Sequence, residues 1–389
     1  GGPRSMPRIQ AAQMVDVELC DRPATEREQI VGQHQPGSSE APTPLHVGAS
    51  VGSGVLNMSN TILGAGMLAL PHALAQCGLL VGLLLLALFA ALSLLGLHLV
   101  SAAADLAGRP SSFYAVAEKA LPGSGMLIDA AIAIKCFGVA TAYLIIVGDA
   151  MPQAVEPFGA TGVLLDRRLW TLGAAVVVSP LAYLKQIDAL RHTSLLALLS
   201  VLFVTVLVVL FALQPSESFD PCADHPPAAP CRGSVPLATS MGATLSALPT
   251  FVFSFTCHQN IISVTNELRS PTPRRGLTVI ATAVGLAFVQ YAVLGTAALL
   301  TYGDLVESDV LRGYPASPLL SVARLSVALL VSLSYPLQAH PSRACTLSLI
   351  AAITARCRRR RERARTGEPP PPEGGEASSS SEASSSTAG

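Results

Sequence analysis

Charge is what this sequence has least of. Asp, Glu, Lys and Arg make up 13% of the 389 residues, where a soluble domain carries roughly 25%. No charged residue occurs anywhere from Val51 to Ala104. So few charges cannot cover the surface of a water-soluble protein of this size. The formal net charge is zero, which removes the electrostatic case for a nucleic-acid partner. The 8 cysteines contain no CxxC pair, so no zinc or redox framework is indicated. No short apolar leader with a cleavage site precedes the first apolar stretch, so no signal peptide is visible.

What the sequence does have is apolar content. Hydrophobic residues are 50% of the chain and the mean hydropathy is +0.50. That excludes a disordered chain. One membrane crossing needs about 20 apolar residues. Eight stretches qualify or nearly qualify: 51–75, 79–99, 126–147, 169–184, 194–213, 238–264, 277–301 and 319–339, the fourth being short. Within lipid a backbone must bond to itself, and stretches of this length do so as helices rather than barrel strands. The expected fold class is therefore an all-α polytopic membrane protein. Residues 1–50 read as a disordered cytosolic tail, 51–345 as the membrane domain, and 346–389 as a basic, then Pro/Ser-rich disordered cytosolic tail.

Orientation follows from Lys and Arg in short loops. With the N-terminus in the cytosol, the inner loops hold Arg109, Lys119, Lys185, Arg191, Arg269, Arg274 and Arg275. The outer loops then hold only Arg167, Arg168, Arg232 and Arg312, together with the acidic groups Glu217, Asp220, Asp224, Asp304, Glu307 and Asp309. Arg356 and Arg358–Arg361 follow the last stretch on the inner side, as a stop-transfer anchor or a contact with anionic headgroups.

Two of the stretches carry helix-weakening sequence. The first contains Gly64-Ala65-Gly66, and Gly has poor helix propensity. Close packing of helices through small residues would account for it. A break that lines a cavity would account for it too, because a broken helix presents dipole ends to a carboxylate and a cation. The sixth contains Pro249, then Phe253-Ser254-Phe255-Thr256-Cys257-His258-Gln259-Asn260. Polar groups at that depth either tie helices together or serve function. Interruptions matched between two halves of a chain point to a transport site. Lys135 and Asp129, in the third stretch, are too far apart for a one-turn pair, and Lys135 is expected to snorkel to the inner surface. Arg324 is expected to snorkel to the outer headgroups, and Glu267 either to hold a structural partner such as an inner-loop Arg, the favoured reading, or to carry a proton.

Four motifs in order then carry a resemblance. They are Asn57–Pro71, Ile134–Asp149 with its Lys-Cys-Phe-Gly start, the Phe-Cys-His run ending in Asn266-Glu267-Leu268, and Tyr335–Arg343. Together, over about residues 48–345, they resemble the amino acid/auxin permease family, and within it sodium-coupled neutral amino acid transporters and fungal vacuolar amino acid permeases. The resemblance implies a leucine-transporter-like fold of five-plus-five inverted repeats, here cut short after the eighth helix. The family has about eleven helices; residues 344–355 are too short to span and run straight into Arg358–Arg361, so no ninth helix is expected. With the missing initiator Met, this suggests a fragment.

The implied function is secondary active transport of neutral amino acids by alternating access, in a plasma or a vacuolar/lysosomal membrane, and not catalysis. The implied substrate-binding residues are Gly64, Ala65, Gly66, Phe253, Ser254 and Cys257. The coupling ion is sodium or a proton, with no other cofactor; Asn57 and Ser334 match the family's sodium ligands, and their oxygens suit a hard cation. A hydroxyl bonded back to its own helix is the other reading of Ser334. The family has a disulfide in the loop after the fifth helix, and Cys222 and Cys231 lie there, although two free thiols stay open. The expected partners are a small amino acid and the lipid bilayer, with no nucleic acid. The competing readings are a sensor using the same pocket, an inactive fragment, or a channel, for which no filter or charge ring is evident.

Overall fold

The computed structural model describes residues 48–64, 66–183, 187–223 and 230–366. Ala65, Lys185, Asp224, most of the expected N-terminal tail and residues 367–389 lie outside these. The chain divides into one unit of residues 39–348 and a second of residues 1–38 and 349–389. Everything below concerns the first unit, except the helical end of the last helix.

The first expected segment is two helices, α1 (Val51–Ile62) and α2 (Gly66–Cys77). Next come α3 (Leu79–Ala107), a short α4 (Phe113–Ala120), α5 (Gly125–Val155), α6 (Arg167–Ala182) and α7 (Arg191–Leu213). The sixth segment is again split, into α8 (Met241–Ser254) and α9 (Ile261–Glu267), with a 3-10 turn His258–Asn260 between them. The chain continues in α10 (Pro273–Tyr302) and α11 (Pro318–Thr366). Among the described residues, five helices are long and apolar enough to cross a membrane unaided. The other three expected crossings are the two broken segments and α6, which has 16 residues.

The reason these helices sort as they do is visible on α3. Its buried positions are Gly82, Leu86, Ala90, Ser93, Leu97, Ser101 and Ala104, a stripe of mostly small residues at helical spacing. Leu84, Leu88, Leu92, Leu95 and Leu99 face outward and are at least half exposed. A continuous leucine face of this kind is intolerable in water and normal against lipid. The interior, by contrast, holds Asn57, Ser59, Asn60, Thr61, Ser194, Asn260, Ser334 and Gln338, all buried. An apolar outer face around an interior that holds a cluster of polar side chains is the arrangement of a membrane protein, and the chain is an all-α polytopic one. Helix α10 packs along α1, α2 and α3, while α8 lies against α2, so the two broken segments are brought to one centre.

Three expectations are corrected. The last helix does not stop at 339 but runs on through Pro336 and Pro341 to Thr366, so 346–366 is helical rather than tail. Arg is a good helix former, so an Arg-rich run extends a helix without difficulty. Arg324 reaches toward the expected outer end, but to backbone carbonyls rather than headgroups: Nη1 donates to Gln153 O at 3.2 Å and Nη2 to Leu311 O at 3.3 Å. Glu267 has a structural role, but its partners are the backbone N–H groups of Ile187 (2.9 Å) and Asp188 (2.8 Å), not an Arg. Those bonds and the bridge between Ala49 and Leu268 tie the start of α1, the start of α7 and the end of α9 together.

On the opposite side, Cys222 and Cys231 form a disulfide with Cα atoms 5.8 Å apart. The Asp309 carboxyl in the neighbouring loop is pushed up by burial, offset in part by Leu311 N–H, Arg312 and Arg324. The disulfide generates a direct check. Peptide mapping without reductant should return a Cys222–Cys231 cross-linked peptide, and a thiol reagent should label these two residues only after reduction; labelling before reduction contradicts the bridge.

Candidate functional site

The first break is local in origin. Ile62 ends α1, Leu63 N–H still reaches Ser59 O at 2.8 Å, and Gly64 N–H turns to Ile62 O at 2.9 Å. The helix restarts at Gly66. Neither glycine can be replaced freely. A Cβ on Gly64 would collide with the Tyr143 hydroxyl, and one on Gly66 would stand 2.8 Å from Ser254 Oγ and 3.0 Å from Ser254 Cα. The second glycine therefore lets the first broken segment touch the end of α8, the first half of the other.

Each break frees carbonyls that lipid cannot satisfy. One side chain answers both. Tyr291, on α10 and fully buried, places its hydroxyl 2.6 Å from Ile62 O and 3.2 Å from Ser254 O, the last residues of α1 and α8. Ser93 Oγ on α3 donates to Phe255 O at 3.0 Å. Asn260, past the second break, donates from Nδ2 to Thr61 Oγ1 (3.1 Å) and to Leu337 O (2.9 Å), joining α1, the sixth segment and α11. Gln259 Nε2 donates to Gln338 Oε1 at 3.1 Å.

Between the breaks lies a cavity of about 10 Å³, room for roughly one water. It is lined by Gly64, Gly66, Phe253, Thr256 and Gln338, and by Lys135 and Tyr143 of α5. Of the expected substrate residues, Gly64, Gly66 and Phe253 thus meet at one space. Ser254 is buried behind it, its hydroxyl donating to Thr250 O at 2.8 Å, and Cys257 is fully buried and not on the lining. Lys135 does not snorkel to the inner surface; it borders this cavity.

Asn57 and Ser334 are not in mutual contact. Asn57 Nδ2 donates to Ile187 O (3.0 Å), and its Oδ1 accepts from Ser194 Oγ (2.8 Å). Ser334 Oγ lies 2.6 Å from Asn60 Oδ1 and 2.8 Å from Leu330 O of its own helix. Asn60 joins the two, since its Nδ2 donates to Ser194 Oγ at 3.2 Å. A buried relay therefore runs from α1 through α7 and back to α1, then to α11. Nearby, Asn260 Oδ1 is buried without a hydrogen-bond partner. The sequence reading missed Asn60, Ser194, Tyr143, Gln338 and Tyr291. Asn60 had a signal, because it stands three residues from Asn57 on one helix face. Tyr291 had a weaker one, as a phenol beside Gln290 in the middle of a long helix.

If Tyr291 clasps both breaks, Tyr291→Phe removes the one proton that the two carbonyls share, leaving Ile62 O with Gly64 N–H alone and Ser254 O without the phenol, and costs about 1–3 kcal/mol. Thermal unfolding in detergent should show the midpoint fall by several degrees; an unchanged midpoint contradicts the clasp.

Comparison with known proteins places this architecture. The family described as transmembrane amino acid transporter protein matches residues 47–372. Vacuolar amino acid transporter 5 of Schizosaccharomyces pombe is 38% identical over 309 residues, covering 78% of this chain and 71% of the relative. Vacuolar amino acid transporter 6 of Saccharomyces cerevisiae is 36% identical, with 76% of this chain and 65% of the relative covered. Sodium-coupled neutral amino acid transporter 7 of Mus musculus is 30% identical, with 79% and 65% covered. The chain thus spans about two thirds of the length of these relatives. These proteins are transporters rather than enzymes, as the four motifs implied. With a family match over most of its length, and apolar-faced helices around a cluster of buried polar side chains, this chain belongs to the transmembrane amino acid transporter family.

Proposed function

We propose that this chain is a secondary active transporter of neutral amino acids, working by alternating access. The observation that carries the reading is the pair of facing helix breaks held to one tyrosine, with a small cavity between them. Helix α2 starts at Gly66, and its N-terminal dipole end favours a carboxylate. The ends of α1 and α8 present carbonyls, which favour an ammonium. A zwitterion matches both. Ala65, between the glycines, belongs to the same proposed cradle, and Phe253 faces it from the sixth segment.

The cavity as it stands is too small for an amino acid, so binding requires the surrounding helices to part. The latch of Glu267 on Ile187 and Asp188 closes one side of the molecule, and the Arg324 contacts close the other. Alternating access on this frame is the alternate release of those two closures. Sodium or a proton is the proposed coupling ion. Sodium at Asn57 and Ser334 would require both to turn from their present partners, Ser194 and Asn60, toward a shared centre. The higher identity to vacuolar relatives supports a vacuolar or lysosomal membrane over the plasma membrane.

Two outcomes test this. Gly66→Ala forces a Cβ into Ser254; overpacking costs about 1–3 kcal/mol, so uptake should fall roughly tenfold or more, and Gly66→Val should abolish it while the protein stays in the membrane. Normal uptake by Gly66→Val removes the site. In proteoliposomes, uptake of an amino acid panel should collapse when either the sodium or the proton gradient is removed. Flux indifferent to both gradients contradicts coupled transport.

A further inference from the structure

Lys135 is the feature that nothing above uses. It sits 10 residues into α5, a helix of 31 residues, close to the centre of the expected crossing 126–147 and so within the hydrocarbon layer. It is half-buried. It makes no hydrogen bond and no ion pair to any described residue. The ion pairs among the described residues lie elsewhere: Arg109–Asp105, Arg167–Asp149, Arg191–Asp188 and Arg312–Asp309. Its titratable neighbours are the thiols of Cys136 and Cys257 and the ring of His258, none of them a carboxylate. A cation held at this depth without a counter-ion is costly and marks a functional position.

Its position says what the counter-ion is. Lys135 lines the cavity between the breaks and also a groove of about 660 Å³ between α5 and α8. The two spaces share Lys135, Val139, Phe253 and Thr256 as a common wall. The groove is open and apolar, with Ile134, Leu245 and Val252 exposed on its walls, so Lys135 stands in the wall between an apolar outer face and the cavity. A solute seated in the enlarged cavity meets the ammonium, because Lys135 lines it.

We propose that Lys135 is the specificity-determining counter-charge of this site, receiving the carboxylate of the incoming amino acid. The assignment rests on the transport reading above and deepens it. The N-terminal end of α2 at Gly66 orients the carboxylate, and Lys135 supplies the full positive charge that dipole ends lack. The carboxylate in turn neutralises a cation that is otherwise unpaired, so the bound state loses a penalty that the free state carries. Solutes without a free carboxylate are then refused, because they leave the ammonium desolvated and alone. The α-amine of the solute turns away from Lys135, toward the carbonyl ends of the broken helices.

The test uses the full chain in proteoliposomes and pairs of solutes, each an amino acid and its carboxamide. Wild type should take up the amino acid and be inhibited by the carboxamide only weakly. Lys135→Gln and the near-isosteric Lys135→Met should raise KM for the amino acid by about ten- to a hundredfold. The carboxamide should inhibit these variants as well as or better than it does wild type, so the discrimination collapses. Lys135→Arg, which keeps the charge, should restore discrimination. If a neutral variant folds poorly, ligand-induced thermal stabilisation of Lys135→Arg and wild type by both solutes reads the same preference. Neutral variants that transport with the wild-type preference for the carboxylate overturn this assignment alone. A wild type that neither binds nor moves any amino acid overturns the transport reading and this one with it.

Discussion

A peptide group inside a membrane must find its hydrogen-bond partner within the protein, and this chain twice interrupts the helix that would provide it. Each interruption leaves carbonyl and amide groups exposed to a medium that cannot solvate them. The rest of the interior is organised around that debt. Tyr291 reaches the last carbonyls of α1 and α8 with one hydroxyl, Ser93 takes Phe255, and Asn260 ties the second break to Thr61 and α11. The breaks hold because neighbouring helices supply what the broken ones gave up.

The same constraint explains the polar centre. Asn57, Ser194, Asn60 and Ser334 form a relay in which each side chain answers the next, and every one of them is buried. In lipid, apolar surface gives helices no reason to prefer one another over acyl chains. Small residues that permit close approach and polar groups that need partners supply the specificity instead. The Gly66–Ser254 contact and the Asn60 relay are one example of each. A site built from such parts couples shape to occupancy, since a solute that satisfies the free groups also competes with the bonds holding the helices together.

The fold class and the two breaks were legible in the sequence because their causes are local. Charge-free runs, glycine pairs and a proline followed by polar residues act within a few positions of where they stand. The relay was not legible, because its bonds join residues such as Asn57 and Ser194 that lie 137 apart. Spacing along one helix offers no view of what faces it. Lys135 shows the limit most plainly: a snorkelling lysine and a lysine beside a cavity have the same sequence. The end of the eighth helix was missed for another reason. Falling hydropathy after Ala339 signals departure from lipid, not the end of the helix, and α11 continues well beyond it.

The central claim is that unwound backbone at the two breaks is the part of the chain that meets the amino acid. Hydrogen–deuterium exchange of the protein in nanodiscs, with and without a transported amino acid, tests it most directly. The account predicts that amides at 63–66 and 255–257 exchange faster than those of the flanking helices, and that the amino acid slows these amides above all others. Exchange at both breaks as slow as in mid-helix, unaltered by any amino acid, would contradict it.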